Sequence, residues 1–440
     1  MESPISKSSV SDPSLENRIN REHSTLKKLL LILGPGLITG ASDDDPSGIA
    51  TYAATGAAFG YGMLWMALFT FPMMAAVQYI CAKIGLVSGR GVASLIRDTY
   101  SKPVLYSVVI LLAVANAINA GVDIGAVAAG LNLLVGIPIW LLCIPVAVGL
   151  TVFQIFGSYD TIVRYFKWLT LALFAYIGSS FLARPEWHAV LFHTFVPHIQ
   201  LDAEFLAMLV AILGTTISPY LFFWQANHEI EEEKARGRKK LWQRQGATDG
   251  ELRYAAMDVN CGMFLSNLVM YFIILATAAT LHKSGQTRVD SAADAAKALR
   301  PIAGAAAELL MAVGLVGSGL LAIPVLTASS AYAVSEAFGW KTGLDKKPKR
   351  AKHFYAVIAI STLIGLLINF FGLNPIQALV WTSILNGFLA PPLLIVIMLI
   401  ANNKAIMKSR VNGRMLNFIG WLTTLILFVA LVGMILTWKS

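Results

Sequence analysis

The stretch Ser42-Asp43-Asp44-Asp45-Pro46-Ser47-Gly48 sets three consecutive carboxylates and a proline inside a long apolar run. The apolar pattern continues on both sides, from Leu29 to Thr39 and from Ile49 to Ala58. A carboxylate within a membrane span costs about 2.5–3.5 kcal/mol on insertion scales, so such a group is retained for function. Pro46 lacks a backbone donor and prevents the α-helical bond to the residue four before it. Ser47 and Gly48 then let the chain unwind, freeing carbonyl oxygens. A free carbonyl beside a carboxylate is a donor set for a hard cation. Asp45, immediately before the proline, is the predicted ligand. Asp43 and Asp44 face elsewhere on the helix, where they line a vestibule or pair with another span.

The rest of the chain supports a membrane setting for this break. Of 440 residues, 56% are hydrophobic and 13% charged, against roughly a quarter charged in soluble domains. Apolar stretches of about 20 residues, the length that crosses a bilayer as a helix, recur along nearly the whole chain. The short alternating segments of a β-barrel are absent from the pattern, and helices satisfy their own backbone in lipid. Eleven spans are predicted: 29–58, 61–83, 104–134, 137–157, 161–183, 204–227, 254–281, 305–336, 353–372, 375–401 and 416–438. Residues 1–28 are polar and mixed in charge, a predicted disordered tail. No cleavable signal peptide is expected, because the first apolar run is too long and starts too late.

The net charge of +9 does not point to nucleic acid, because its placement follows the membrane. With the N-terminus inside, 28 of the 34 lysines and arginines fall in the tail and in segments 83–102, 164–167, 234–253, 341–352 and 404–414. The other side holds Arg184, Lys283, Arg288, Lys297, Arg300 and Lys439. This asymmetry follows the positive-inside rule and predicts a cytoplasmic N-terminus and an outside C-terminus, in the plasma membrane. The run Arg236–Lys240 is then a topology anchor, with contact to anionic lipid a secondary role. Cys81, Cys143 and Cys261 stand at unrelated spacings in or beside apolar spans and fit core packing, not a disulfide framework or metal knuckle.

A second polar interruption, Gly214-Thr215-Thr216-Ile217-Ser218-Pro219-Tyr220, lies in the sixth span. Five spans separate it from the first, an odd number, so the two halves have opposite topology. Paired interruptions in corresponding helices of inverted halves are the sequence pointer to a transporter's binding site. The domain reading is one transmembrane unit over 29–440, with repeat one at about 29–183, repeat two at about 204–401 and an added helix at 416–438. The outer loop carries a predicted short surface helix from Ser291 to Leu299.

Gly34-Pro35-Gly36-Leu37, followed by Asp45-Pro46-Ser47-Gly48, resembles the first helix of the Nramp family of divalent-metal transporters, whose motif there is Asp-Pro-Gly-Asn. Gly214 through Ala226 is similar to that family's sixth helix, usually Gly-Ala-Thr-Val-Met-Pro-His-Asn, and Leu131 through Pro138 to the end of its third. The resemblance in hydropathy and helix count covers residues 29–438. It implies a leucine-transporter-type fold, with metal held between the unwound centres of helices one and six.

Residue by residue, the resemblance implies that the family's metal-binding aspartate falls on Asp45. Its asparagine falls on Gly48, its carbonyl-donating alanine on Thr215 and its methionine on Ser218. A glutamine that reaches the metal in family members falls on Ser383, beside Thr382 and Asn386 in span ten. The sixth-helix histidine falls on Tyr220, which does not titrate near neutral pH. The glutamate of the family's proton route falls on Asp123, whose other available role is pairing with Asn116 or Asn119. Asp258, Asn260 and Asn267 are read as interhelical hydrogen-bonding groups. Without asparagine and methionine the donor set is oxygen alone, which suits Mg²⁺, Ca²⁺ or Mn²⁺. The room left suits an ion that retains part of its water shell. The expectation is therefore a monomeric secondary transporter of divalent cations, Mg²⁺ first with Mn²⁺ accepted, with no cofactor and proton coupling in doubt.

Other readings share some of these features. A proton-coupled Mn²⁺ or Fe²⁺ importer, an amine or amino-acid carrier, and a metal sensor fit the same architecture. An ionised Asp45 would repel a substrate carboxylate, which disfavours an amino acid. An intramembrane zinc enzyme fails because His228-Glu229 is followed at position 232 by Glu, not by the His of a His-Glu-x-x-His motif.

Overall fold

The computed structural model describes residues 35–157 and 173–437. Among these residues the secondary structure is helical, with no strand. The predicted tail and most of the predicted fifth span lie outside the described residues.

Span one is two half-helices, α1 (Pro35–Asp43) and α2 (Pro46–Phe59). Then follow α3 (Trp65–Ser88), α4 (Lys102–Val135), α5 (Ile139–Phe156) and α6 (Ala175–Leu182), the described end of span five. Span six is again divided, into α7 (Ala203–Thr216) and α8 (Pro219–Ala235). The chain continues through α9 (Asp249–Thr280), α10 (Ala307–Ala337), α11 (Lys352–Ile368), α12 (Pro375–Asn402) and α13 (Arg414–Thr437). Nine segments among the described residues are long and apolar enough to cross a membrane, α7 and α8 counting together. The divided first span and the incompletely described fifth account for the difference from eleven. Where a surface helix was expected over Ser291–Leu299, a shorter one, Ala292–Lys297, is capped by Ser291 and buries Ala292, Ala295 and Ala296.

Both interruptions have the same local cause. Asp45 (φ −69°, ψ 168°) and Ser218 (φ −69°, ψ 124°) each precede a proline and are extended, because the proline ring excludes the helical region for the residue before it. Each proline then opens the next half-helix, where its missing N–H costs nothing.

The two divided helices lie in the middle of the bundle. α9 packs along α1 and α2, α12 packs along α7 and α2, and α4 packs along α10. Close approach depends on small residues, as in membrane bundles generally. A Cβ at Gly40 would overlap the backbone of Gly262, and one at Gly214 would overlap the backbone of Ser383 and Gly387. The outer faces of α5, α11 and α13 expose large apolar side chains such as Val148, Leu363 and Leu425, the surface a lipid environment covers.

Among the described residues, the basic segments 83–102, 234–253, 341–352 and 404–414 gather at one end. Arg90 and Arg97 lie beside Lys234, Arg244 and Thr342, and Arg410 pairs with Asp249. Phe59–Gly62, His193, His198 and Lys283 gather at another cavity, on loops that carry few lysines and arginines. Cys81 and Cys143 are buried and Cys261 is partly exposed, all three free.

Candidate metal centre

Asp45 caps α2. Its Oδ1 accepts from the Ser47 hydroxyl at 2.6 Å and from the Gly48 N–H at 2.7 Å. A carboxylate at a helix N-terminus is favoured by the exposed N–H groups and the helix dipole. Its Oδ2 accepts from the Tyr220 hydroxyl of α8 at 3.2 Å, and the same hydroxyl reaches the Ser42 carbonyl at 3.0 Å. One side chain of the second break therefore reaches both the carboxylate and a freed carbonyl of the first.

The other predicted residues converge on this point from three helices. A Cβ at Gly48 would stand 3.3 Å from the Thr215 hydroxyl oxygen and 3.3 Å from the Tyr52 ring. The Thr215 hydroxyl is buried and faces the Tyr52 hydroxyl. The Ser218 hydroxyl donates to the Thr215 carbonyl at 2.6 Å, so two of the predicted donors also hold one another. Ser383 of α12 accepts from Thr51 at 2.9 Å, and its oxygen lies 3.4 Å from the Ser47 carbonyl. All of these residues are buried.

Asp44 turns away. The Ser266 hydroxyl of α9 lies 2.7 Å from Asp43 Oδ2 and 3.1 Å from Asp44 Oδ1, which realises the pairing with another span. Asp123 departs from expectation in its partners. Asn116 donates to the Leu326 carbonyl and Asn119 to Asn386. Both Asp123 oxygens remain buried and unpartnered. Asp123 is nevertheless close enough to Asp45 to interact electrostatically.

Asp258 and Asn267 bond between helices as read: Asp258 to the Gly36 and Leu37 N–H groups, and Asn267 to Thr70 and the Ala67 carbonyl. Asn260 does not; it is exposed and donates to the Ala256 carbonyl of its own helix. Thr51, Tyr52 and Ser266 were not singled out in the sequence. Thr51 and Tyr52 follow the motif by one helical turn, and that spacing was the available signal. Ser266 carried none.

Among the described residues, no three His, Cys, Asp or Glu side chains are arranged around one point as a metal cluster. The donors at the break are one carboxylate, several hydroxyls and freed carbonyls. That chemistry fits a hard or borderline cation held by oxygen and passed on, not a resident soft metal.

Two divided helices in a bundle, with their breaks facing each other around a buried carboxylate, define a membrane transporter of the leucine-transporter type. Solved structures share the fold. A manganese transporter from Eremococcus coleocola superposes with a TM-score of 0.70 at 21% identity, over 93% of this chain and 87% of that one. The nucleobase-cation-symport-1 family transporter Mhp1 gives a TM-score of 0.57 at 13% identity, over 92% and 93%.

The chain belongs to the Nramp family, described as natural resistance-associated macrophage protein-like, whose sequence profile matches residues 36–437. It is 27% identical to the divalent metal cation transporter MntH of Agrobacterium fabrum, over 95% of this chain and 90% of that one. It is 26% identical to MntH of Bacillus subtilis, over 98% and 97%. The protein is thus a multi-pass divalent metal cation transporter and not an enzyme, with the metal as cargo.

Proposed function

We propose that this chain carries out proton-coupled import of Mn²⁺, binding the ion at Asp45 with oxygens of Gly48, Thr215, Ser218 and Ser383. The observation that carries the reading is the Asp45 carboxylate at the α1–α2 break, bonded by Tyr220 from beyond the α7–α8 break. Manganese is the metal in the printed name of the Eremococcus coleocola structure, and the MntH relatives are named for divalent metal cations. The sequence reading put Mg²⁺ first, and the relatives give that preference no support. The physical reason is that an oxygen-only donor set suits Mn²⁺ as well as Mg²⁺, so the missing asparagine and methionine do not separate the two.

Proton coupling draws on Asp123, an unpartnered carboxyl in the bundle interior beside the ion site. Intramembrane carboxyls of this kind mark ion pathways and proton relays. Tyr220 positions Asp45 through its hydroxyl, and Asp44 stays with Ser266 beside the path.

The test is flux into proteoliposomes of Mn²⁺ against Mg²⁺, with a pH-sensitive dye in the lumen. Wild type is expected to take up Mn²⁺ in the presence of equal Mg²⁺ and to acidify the lumen as it does so. Asp45→Ala is expected to fall to the level of empty vesicles. Undiminished uptake by Asp45→Ala would sink the site, a silent dye would sink proton coupling, and full inhibition by equal Mg²⁺ would reinstate magnesium.

A further inference from the structure

Beyond the C-terminal end of α2 lies a cavity of about 380 Å³, lined among others by Gly60, Glu186, His193, His198 and His282. Three of the chain's seven histidines thus converge, His193 and His198 from the connection between α6 and α7 and His282 from the turn after α9. The α2 segment between this cavity and Asp45 is 14 residues long, a rise of about 20 Å.

The rings of His193 and His198 lie with centroids 6.3 Å apart. With metal–nitrogen bonds of about 2.0–2.1 Å, one cation can bridge an imidazole pair at roughly this spacing. His193 Nδ1 is buried and has no hydrogen-bond partner, an unusual state for a buried polar atom. His282 Nδ1 lies 2.8 Å from the Ala57 carbonyl, which fixes the ring and leaves Nε2 as its remaining donor atom. Glu186, His198 and His282 are exposed. Lys283 also lines the cavity, and its exposed, flexible stem lets the ammonium turn into water.

We propose that this cavity is a second cation site, in which His193 and His198 chelate a borderline transition cation while Glu186 and His282 complete the shell. Among the described residues no three such side chains yet surround one point, so the pair is its core and the exposed groups close on the ion by rotation. Imidazole and carboxylate together suit Zn²⁺ and the softer transition ions better than Mg²⁺. The cavity borders the Gly60–Met63 turn at the end of α2, so a captured ion sits at the entrance to the helix that caps on Asp45. The proposal rests on the transport reading for its role, as a station that loads the central site.

Zn²⁺ serves as the probe in equilibrium dialysis of the full chain, for wild type, His193→Gln/His198→Gln and Asp45→Ala. Asp45→Ala is expected to retain a Zn²⁺ equivalent that the paired histidine variant lacks or binds at least about tenfold more weakly, since disturbing even a supporting group costs ~10–100-fold in metal affinity. In proteoliposomes the paired variant is expected to raise KM for Mn²⁺ severalfold with kcat unchanged, which also shows that it folds. Zn²⁺ binding equal to wild type in the paired variant, or none in Asp45→Ala, would overturn the site. An unchanged KM would overturn its loading role. The dialysis result stands apart from transport, so a failure of the Mn²⁺ reading would not be mistaken for a failure of the site.

Discussion

Gly48 shows how one position constrains the choice of ligands at the break. A Cβ there would meet the Thr215 hydroxyl and the Tyr52 ring at 3.3 Å, closer than ordinary contact, with the Asp43 carbonyl at 3.4 Å. Restoring the family's asparagine with Gly48→Asn therefore overpacks a buried site, and overpacking costs about 1–3 kcal/mol. The variant is expected to unfold at a lower temperature in detergent and to transport less; an unchanged melting midpoint would show that Tyr52 and Thr215 yield freely. Ser218 makes the opposite case. Its hydroxyl bonds the Thr215 carbonyl, so Ser218→Met frees that carbonyl and adds a soft thioether. Competition by Cd²⁺ against Mn²⁺ uptake is expected to strengthen, and unchanged competition would mean that position 218 does not face the ion.

At the scale of elements, the half-helix α1 is held at its start from another helix. Asp258 of α9 accepts from the Gly36 N–H at 2.6 Å and the Leu37 N–H at 3.1 Å, an anion at a helix N-terminus. One turn on, Gly40 lies against Gly262, so the two contacts fix the register of α1 along α9. Asp258→Ala leaves two N–H groups without this acceptor, at about 1–3 kcal/mol for each buried group left unsatisfied. It is expected to lower the unfolding temperature more than Asp258→Asn, which retains one acceptor oxygen; equal effects would argue that the contact does not carry the helix. Such partners are only half visible in a sequence. A polar residue in an apolar span announces that it has a partner, and Asp258 and Asn267 were legible to that extent. Which N–H it meets, 222 positions away in the case of Gly36, depends on packing that hydropathy does not encode. Asn260 shows the limit, because the same residue type on the same helix faces outward. The breaks at Asp45-Pro46 and Ser218-Pro219 were legible because their cause is local to the proline. Ser266 was not, because a serine in a span gives no sign that it bonds two aspartates of another helix.

Over the whole molecule, the same asymmetry that organises the loops makes the orientation testable. The basic segments are scattered along the chain, yet Arg97, Lys234 and Arg244 border one cavity and Arg410 pairs with Asp249 at the start of α9. The histidine cavity gathers loops with few basic residues. Lysine and arginine bias sets orientation through short loops near span ends, so the basic end is proposed to face the cytoplasm. With the eleven spans expected from the sequence, the two termini would then fall on opposite sides. A cysteine-free background, made by replacing Cys81, Cys143 and Cys261 with alanine, allows single cysteines at Lys240 and at Ser291 to be compared. Ser291 is the exposed cap of the short helix Ala292–Lys297, and Lys240 in the basic loop is also exposed. In intact cells a membrane-impermeant thiol reagent is expected to label Ser291→Cys and to spare Lys240→Cys until the membrane is opened. Labelling in the reverse order would invert the molecule and put the histidine cavity on the cytoplasmic side, where it would meet the ion after the central site instead of before it. The orientation therefore decides whether that cavity loads Asp45 or receives what Asp45 releases.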